Sequence, residues 1–335
     1  MVKIGLIGAG FMGGMHAACY EALLRTLDFK VTAVADDNPQ KAETVAAKFG
    51  AQAFASAAEL IARGDVTAVD ICLPTYLHAE TAIAAMNRGL DVFIEKPVCL
   101  NEQEAERLLA AQRQSGVKAM VGHVIRYWPE YVELKALADS GIYGKVVSAV
   151  FNRISPKPDW AWQGWLDDPD KSGSAALDLH IHDVDFVRYL LGDPDRISSM
   201  TVSDGGAKNH IFSLYEYPDA VVSLEGGWDY PAALPFEMSY RVKFERATVL
   251  FSSAKQPTLA IYEENGGVVE KNLELDVGTA AGGGNISSLG AYYSELRYFV
   301  ERLVRDEPIA ISTLQDGCDS LKLTLREIAN AQSVS

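Results

Sequence analysis

The feature that most restricts this chain is a regular alternation, up to about residue 122, of short apolar runs with longer amphipathic stretches. The runs are Lys3–Ile7, Lys30–Ala35, Val69–Leu73, Asp91–Ile94 and Lys118–Val121. Between them lie helical patterns; Asn38–Phe49, for example, places Ala42, Val45, Ala46 and Phe49 at three- and four-residue spacing. Continuous apolar strands separated by amphipathic helices predict a parallel sheet covered on both faces. Right-handed crossovers then wind it into a doubly wound α/β fold.

A glycine turn occupies the first strand–helix junction, where Gly8-Ala9-Gly10-Phe11-Met12-Gly13 fits G-x-G-x-x-G. Alone the pattern is weak. Its weight comes from the strand before it, the helix after it, and an acid, Asp36, closing the next strand. Gly8 permits the tight turn, Gly10 lets the backbone approach a pyrophosphate, and Gly13 lets helix and strand pack closely. The helix N-terminus offers N–H groups and a partial positive charge to phosphates. Asp36 is placed to accept hydrogen bonds from an adenosine ribose. With Asp37 beside it and no basic residue before Lys41, a 2′-phosphate would be repelled, so NAD is predicted in preference to NADP. The competing reading is a Gly-rich turn beside a solvated Asp pair in an unrelated α/β protein.

With 335 residues the chain exceeds what one hydrophobic core usually serves, so a second domain is expected. Past residue 125 the texture changes. A helix is predicted at Pro129–Ser140, then a strand at Lys145–Arg153, an irregular segment at Ser155–Lys171 and one helix over Ser174–Leu191. Strand-like runs follow at Ile197–Val202, His210–Tyr217, Ala220–Trp228, Glu237–Phe244, Thr248–Phe251 and Thr258–Ile261. Turn formers such as Pro218-Asp219 join them, which predicts hairpins. Gly278–Gly284 reads as a loop, and helices near Leu289–Arg305 and Leu314–Ala331 close the chain. The expected fold is α/β plus α+β. Residues 1–122 form a Rossmann domain with a doubly wound parallel sheet. Residues 123–335 form a substrate domain with an open, mostly antiparallel sheet carrying helices on one face, and the last helices are free to pack back on the first domain. An uncovered sheet face predicts a homodimer or homotetramer.

Composition removes several function classes. The formal net charge of −15 argues against a nucleic-acid partner, which needs clustered Lys and Arg. No run of about 18 apolar residues is present, so no membrane span is expected. The N-terminus runs straight into the glycine turn and does not read as a signal peptide. Cys19, Cys72, Cys99 and Cys318 are scattered, without the spacing of a disulfide or zinc framework, and are expected to be reduced. A cytoplasmic location follows, and no metal is expected.

Two elements carry candidate chemistry. Glu95-Lys96-Pro97 directly follows the strand Asp91–Ile94, where ligands of open α/β sheets bind. An ammonium there stabilises a developing alkoxide; a surface lysine capping a strand fits equally well. The second element runs from Ala175 to Asp185. On a helix Asp178 and His182, four apart, share one face, with Asp185 extending a polar stripe beside Leu177, Ile181, Val184 and Leu191. A solvated helix face with a chance Asp–His pair is the alternative. His180 and His182, two apart, point in different directions on a helix and do not make a zinc pair.

Taken together these residues resemble the Gfo/Idh/MocA oxidoreductases over nearly the full length. The shared elements are the glycine turn with His16 after it, Leu73-Pro74-Thr75 with His78, Glu95-Lys96-Pro97, and Gly122-His123-x-x-Arg126. Ser140-Gly-Ile-Tyr-Gly144-Lys and Asp178-x-x-x-His182-Asp-x-Asp185 complete the set. The resemblance implies that Pro74, Thr75, His78, Glu95 and Lys96 join Gly8, Gly10, Phe11, Met12, Gly13 and Asp36 around the cofactor. It also implies catalytic roles: His182 as general base on a substrate hydroxyl, Asp178 orienting the His or a neighbouring hydroxyl, and Lys96 steadying the oxygen while hydride passes to nicotinamide. An unperturbed imidazole titrates near pH 6.5 and suits that task. One departure stands out: the family usually has Gly where this chain has His180, which either lines the pocket or packs at the domain junction.

The resemblance implies a sugar or cyclitol substrate. Trp160, Trp162 and Trp165 are compatible with stacking on sugar rings, and His123, Arg126, Asn152, Arg153 and His180 are candidate polar partners. The same Trp residues also suit a loop anchored to the core. Two other functions remain open within the resemblance: a glycosidase working through transient oxidation with tightly held NAD, and a dinucleotide-sensing regulator.

Overall fold

The computed structural model describes residues 1–159, 161–204, 206–273 and 289–334. The chain divides into two compact units, Met1–Val124 with Asp276–Leu321, and Ile125–Leu275 with Lys322–Ser335.

In the first unit, β1 (Val2–Ile7), α1 (Phe11–Leu23), β2 (Phe29–Ala35), α2 (Pro39–Phe49), β3 (Gln52–Phe54), α3 (Ala57–Arg63), β4 (Ala68–Ile71), α4 (His78–Asn87), β5 (Asp91–Glu95), α5 (Glu102–Ser115) and β6 (Ala119–Gly122) alternate along the chain. The sheet order is β3-β2-β1-β4-β5-β6, with every pair parallel. This is the doubly wound order, whose crevice opens where the winding reverses beside β1. Side chains set the helix ends: Asn38 accepts from Gln40 N–H at 3.0 Å and Asn101 from Glu104 N–H at 2.9 Å, while Gly50 and Gly116 end α2 and α5 in the left-handed conformation. The short β3 was missed by the sequence reading because three residues carry too little periodicity.

The second unit holds α6 (Pro129–Ser140), β7 (Val146–Pro156), α7 (Pro169–Ser172), α8 (Ser174–Asp178), α9 (Ile181–Leu191), β8 (Arg196–Asp204), β9 (Ala207–Glu216), β10 (Val221–Tyr230), β11 (Glu237–Phe244), β12 (Ala247–Ser252), β13 (Leu259–Glu263) and β14 (Val268–Lys271). The chain closes with α10 (Gly290–Val304), α11 (Leu314–Asn330) and β15 (Gln332–Val334). α10 packs on α1 and β1 within the first unit. The expected loop Gly278–Gly284 lies outside the described residues.

The second sheet runs β14-β13-β12-β11-β7-β10-β9-β8-β15. Its hairpins β8–β9–β10 and β11–β12–β13–β14 are antiparallel, as expected. Two pairs are parallel, β7 with β10 and β15 with β8. β7 enters the middle of the sheet ahead of the hairpins, which pair on either side of it. α8 lies against β9 and β10, and α9 against β7. Residues alternate across β7, with Ala149, Phe151 and Arg153 buried and Val150 on the other face exposed.

One expectation is corrected. The single helix over Ser174–Leu191 is two helices, α8 and α9, broken at Leu179–His180. His180 N–H reaches back five residues to Ala175 O at 3.0 Å, while His182 N–H reaches back three to Leu179 O at 3.4 Å. A five-residue step widens the turn and interrupts the α ladder. Four-residue spacing therefore does not place Asp178 and His182 on one helical face.

Candidate active site

The glycine turn has the backbone that its sequence demands. Gly8 has φ +94°, and a Cβ there would lie 2.7 Å from Cys72 O. A Cβ on Gly13 would come within 1.8 Å of Gly8 O. At Gly10, by contrast, a Cβ would meet nothing within 4 Å among the described residues. Packing within the chain thus requires glycine at positions 8 and 13, whereas the bare backbone at 10 faces open space. α1 starts there with no side-chain cap and no acid in its first turn, whereas α2 is capped by Asn38, and α3 and α5 have both a cap and a first-turn acid. A helix start with neither a side-chain cap nor a first-turn acid fits an external phosphate.

Asp36 follows β2 and is half-buried. Its Oδ2 accepts Ala9 N–H at 2.7 Å and its Oδ1 accepts Asn38 N–H at 2.9 Å. Each carboxylate oxygen keeps acceptor capacity for a ribose hydroxyl. The same residue thereby ties the glycine turn to the end of β2. Open backbone at Gly10, an uncapped helix and a carboxylate at the strand end together fit a dinucleotide. Phe11 and Met12, half-buried, open α1 beside this turn.

His78 has a different position from the one a direct ligand contact requires. It is buried, with Nδ1 2.8 Å from Pro97 O and Nε2 2.7 Å from Leu73 O. Burial lowers its pKa, with the two carbonyls pulling the other way. The ring cross-ties the loop after β4, which carries Pro74 and Thr75, to the loop after β5, which carries Lys96 and Pro97. Glu95 closes β5, and its Oε2 accepts Lys96 N–H at 3.0 Å. Lys96 itself is half-buried.

In the second unit His182 lies in the first turn of α9 and is 9% exposed, while Asp178 ends α8 half-buried. Two ion pairs fix α9. Arg153 Nε donates to Asp183 Oδ2 at 2.8 Å and its Nη2 to Oδ1 at 3.1 Å. Arg126 forms the equivalent fork on Asp185, both bonds 2.8 Å, with its guanidinium 4.4 Å from the Tyr189 ring centre. All four side chains are buried. Arg126 and Arg153, read in the sequence as partners for substrate hydroxyls, are therefore structural ties holding the helix that carries His182. Asp185 likewise leaves the polar stripe assigned to it and faces the interior. Asp183 was missed; a run of acids around a candidate base on an otherwise apolar helix was the available signal.

His180 is fully buried, its Nε2 3.2 Å from Glu327 Oε1 on α11, and its ring fills the space beside Gly226, where a Cβ would lie 2.7 Å from Nδ1. Of the two roles weighed for it, this is a packing one, with Gly226 making the room. His123 is buried after β6. Trp165 packs on the small core of Leu166, Ala175 and Trp228, whereas Trp162 is half-buried and Trp160 lies outside the described residues.

Comparison with known proteins places these features in context. Residues 2–123 match a family model described as the GFO/IDH/MocA oxidoreductase family, NAD-binding Rossmann fold, and residues 131–250 match the GFO/IDH/MocA C-terminal domain. Inositol 2-dehydrogenase of Rhizobium meliloti is 32% identical over 192 residues, 57% of this chain and 56% of that protein. Levoglucosan dehydrogenase of Pseudarthrobacter phenanthrenivorans is 30% identical over 212 residues, 59% of this chain and 53% of that protein. The chain thus spans about half the length of the curated relatives it matches. Among solved structures, a levoglucosan dehydrogenase in complex with NADH and levoglucosan superposes with a TM-score of 0.85 at 20% identity, covering 98% of this chain and 97% of that one. That likeness shows the shared fold.

Proposed function

Because the chain belongs to the GFO/IDH/MocA oxidoreductase family, whose two domain models both match it, we propose that it is an NAD-dependent dehydrogenase acting on a hydroxyl-bearing carbon of a sugar or cyclitol. The observation that carries this reading is the glycine turn held by Asp36 beside an uncapped α1. NAD, when bound here, would supply the hydride acceptor. His182 removes the hydroxyl proton as general base, Asp178, at the end of α8, orients the imidazole or a neighbouring substrate hydroxyl, and Lys96 stabilises the oxygen as charge develops. Relatives named for inositol and levoglucosan support the substrate class. Purified protein with NAD should form NADH, read at 340 nm, with at least one of myo-inositol, levoglucosan and a panel of hexoses. Release of free sugar without net NADH would instead favour the glycosidase.

Cofactor choice has its own test. Asp36→Ala is expected to narrow the ratio of NADP to NAD dissociation constants by about tenfold, the scale of one lost charged contact. An unchanged ratio would sink the ribose assignment. Asp36→Asn, which can still accept Ala9 N–H, separates cofactor choice from loss of the turn.

We also assign a homo-oligomer to the open sheet face. Met200, Val202, Phe212, Leu214, Val150 and Val221 are exposed across β8, β9, β7 and β10, an apolar surface of the kind that subunits cover. Phe212→Glu should lower the mass measured by light scattering to that of one chain; an unchanged mass would remove this face as the interface. No helix among the described residues is long and apolar enough to cross a membrane. Four free cysteines support a reducing, cytoplasmic compartment.

A further inference from the structure

Behind the Lys96 loop a chain of buried polar groups runs through the first unit. Tyr20 Oη donates to Asp70 Oδ2 at 2.8 Å, and His16 Nδ1 meets the same oxygen at 2.8 Å. The other ring nitrogen of His16 stands 3.1 Å from Glu95 Oε1, an ion-pair contact that is not a hydrogen bond. Glu95 Oε2 in turn accepts Lys96 N–H at 3.0 Å. His16 and Asp70 are fully enclosed. The remaining groups around them are Cys72, with Sγ 3.2 Å from His16 Nδ1, the rings of Phe93 and Tyr292, and more distantly Cys19 and Glu295.

Packing alone does not account for this arrangement. Asp70 stands in β4 among Ala68, Val69 and Ile71, where an apolar residue would satisfy the sheet without the cost of a buried charge. An imidazole between two carboxylates satisfies both only as the cation, with a proton on each ring nitrogen. Burial works against that cation, but Asp70 and Cys72 beside it together outweigh the penalty, so the His16 pKa lies well above its ordinary value. The far end of the chain is equally confined: a Cβ on Gly122, paired with Glu95 in the sheet, would lie 3.1 Å from Glu95 Oε1. The Glu95 carboxylate therefore lies between His16, 3.1 Å from its Oε1, and the N–H of Lys96 that its Oε2 accepts, with no room for a side chain at position 122.

We propose that His16 and Asp70 are positioning residues for Lys96, acting through Glu95. They hold the carboxylate, the carboxylate holds the Lys96 N–H, and the backbone so fixed sets the point from which the lysine side chain departs. The inference rests on the role given to Lys96 above. A displacement of about 1 Å at a reacting group costs on the order of 10² in rate, so a loosened Lys96 backbone has a measurable price.

The test is a double-mutant cycle on the full chain, with NAD and the best polyol of the panel. His16→Leu should lower kcat about 30-fold in the wild-type background, within the range above, and cause no further loss in a Lys96→Met background. His16→Gln, whose amide can donate to Glu95, should recover most of the loss. A substrate-free readout accompanies it. Hydrogen exchange at the Lys96 amide should quicken about tenfold or more in His16→Leu, the scale expected when one hydrogen bond is released, while the Phe93 and Ile94 amides of β5 keep their rates. Equal losses of kcat in both backgrounds, or an unchanged Lys96 amide, overturn the inference. Full turnover by Lys96→Met alone would sink the catalytic role of Lys96 instead. If His16→Leu does not fold, Asp70→Asn is read in the same cycle and by the same exchange measurement.

Discussion

Replacing His182 by alanine is expected to lower kcat by about 10²–10⁴ while the dissociation constant for NAD changes by less than about threefold. The size follows from the role proposed for the ring. A general base contributes in the transition state, where the hydroxyl proton is leaving, and little to cofactor binding, which the proposed function assigns to the glycine turn and Asp36. The structure also says why the loss should be confined to chemistry. His182 is in the first turn of a helix fixed by two buried guanidinium–carboxylate forks on Asp183 and Asp185, so removing the imidazole leaves α9 anchored. The acidic limb of the kcat/KM profile should disappear in the variant, because that limb reports protonation of the base. His180→Ala provides the contrast. Its ring packs against Gly226 and Glu327, so the expected result is lost stability rather than a changed pH profile. Wild-type turnover by His182→Ala would remove the base assignment.

The sequence was informative where one local pattern has one physical solution. A glycine turn between a buried strand and a helix, followed by an acid at the next strand end, led to a doubly wound parallel sheet, found as β3-β2-β1-β4-β5-β6 with only the short β3 unforeseen; the bond between Asp36 and the turn was not foreseen. The hairpins of the second sheet were legible for the same reason. Long-range choices were not. Nothing local tells β7 to insert beside β10 in parallel, since that pairing is decided by neighbours more than seventy positions away in the chain. The break at Leu179–His180 was hidden because an apolar stripe at helical spacing runs through it, and the interruption comes from a five-residue backbone bond and a ring buried against Gly226. Arg126 and Arg153 were misread because a charged side chain in sequence looks available until its partner is seen. Asp70 did carry a signal, an acid inside an apolar strand, although its partners His16 and Tyr20 lie on a different element.

Arg153 leads to the second large expectation. Arg153→Met should destabilise the second unit by about 3–5 kcal/mol, the cost of stranding a buried charge. Asp183 would keep a fully enclosed carboxylate with its fork removed, and Tyr131, whose hydroxyl stands 3.3 Å from both Asp183 Oδ1 and Arg153 Nη2, cannot replace a guanidinium. Tyr131 is itself packed edge-on against Phe186 and Tyr240, so it has little freedom to move closer. The sign should change when both charges go: Arg153→Met with Asp183→Leu is expected to regain most of the stability, because a buried pair exchanged for apolar groups of similar volume is often neutral. The measurement is selective. All five tryptophans, Trp128, Trp160, Trp162, Trp165 and Trp228, belong to the second unit by sequence position, so denaturant unfolding followed by tryptophan emission reports that unit alone. A loss below about 1 kcal/mol for the single variant, the level of an exposed pair, would mean that the fork does not hold α9. The His182 helix would then have to owe its place to Arg126 and Asp185.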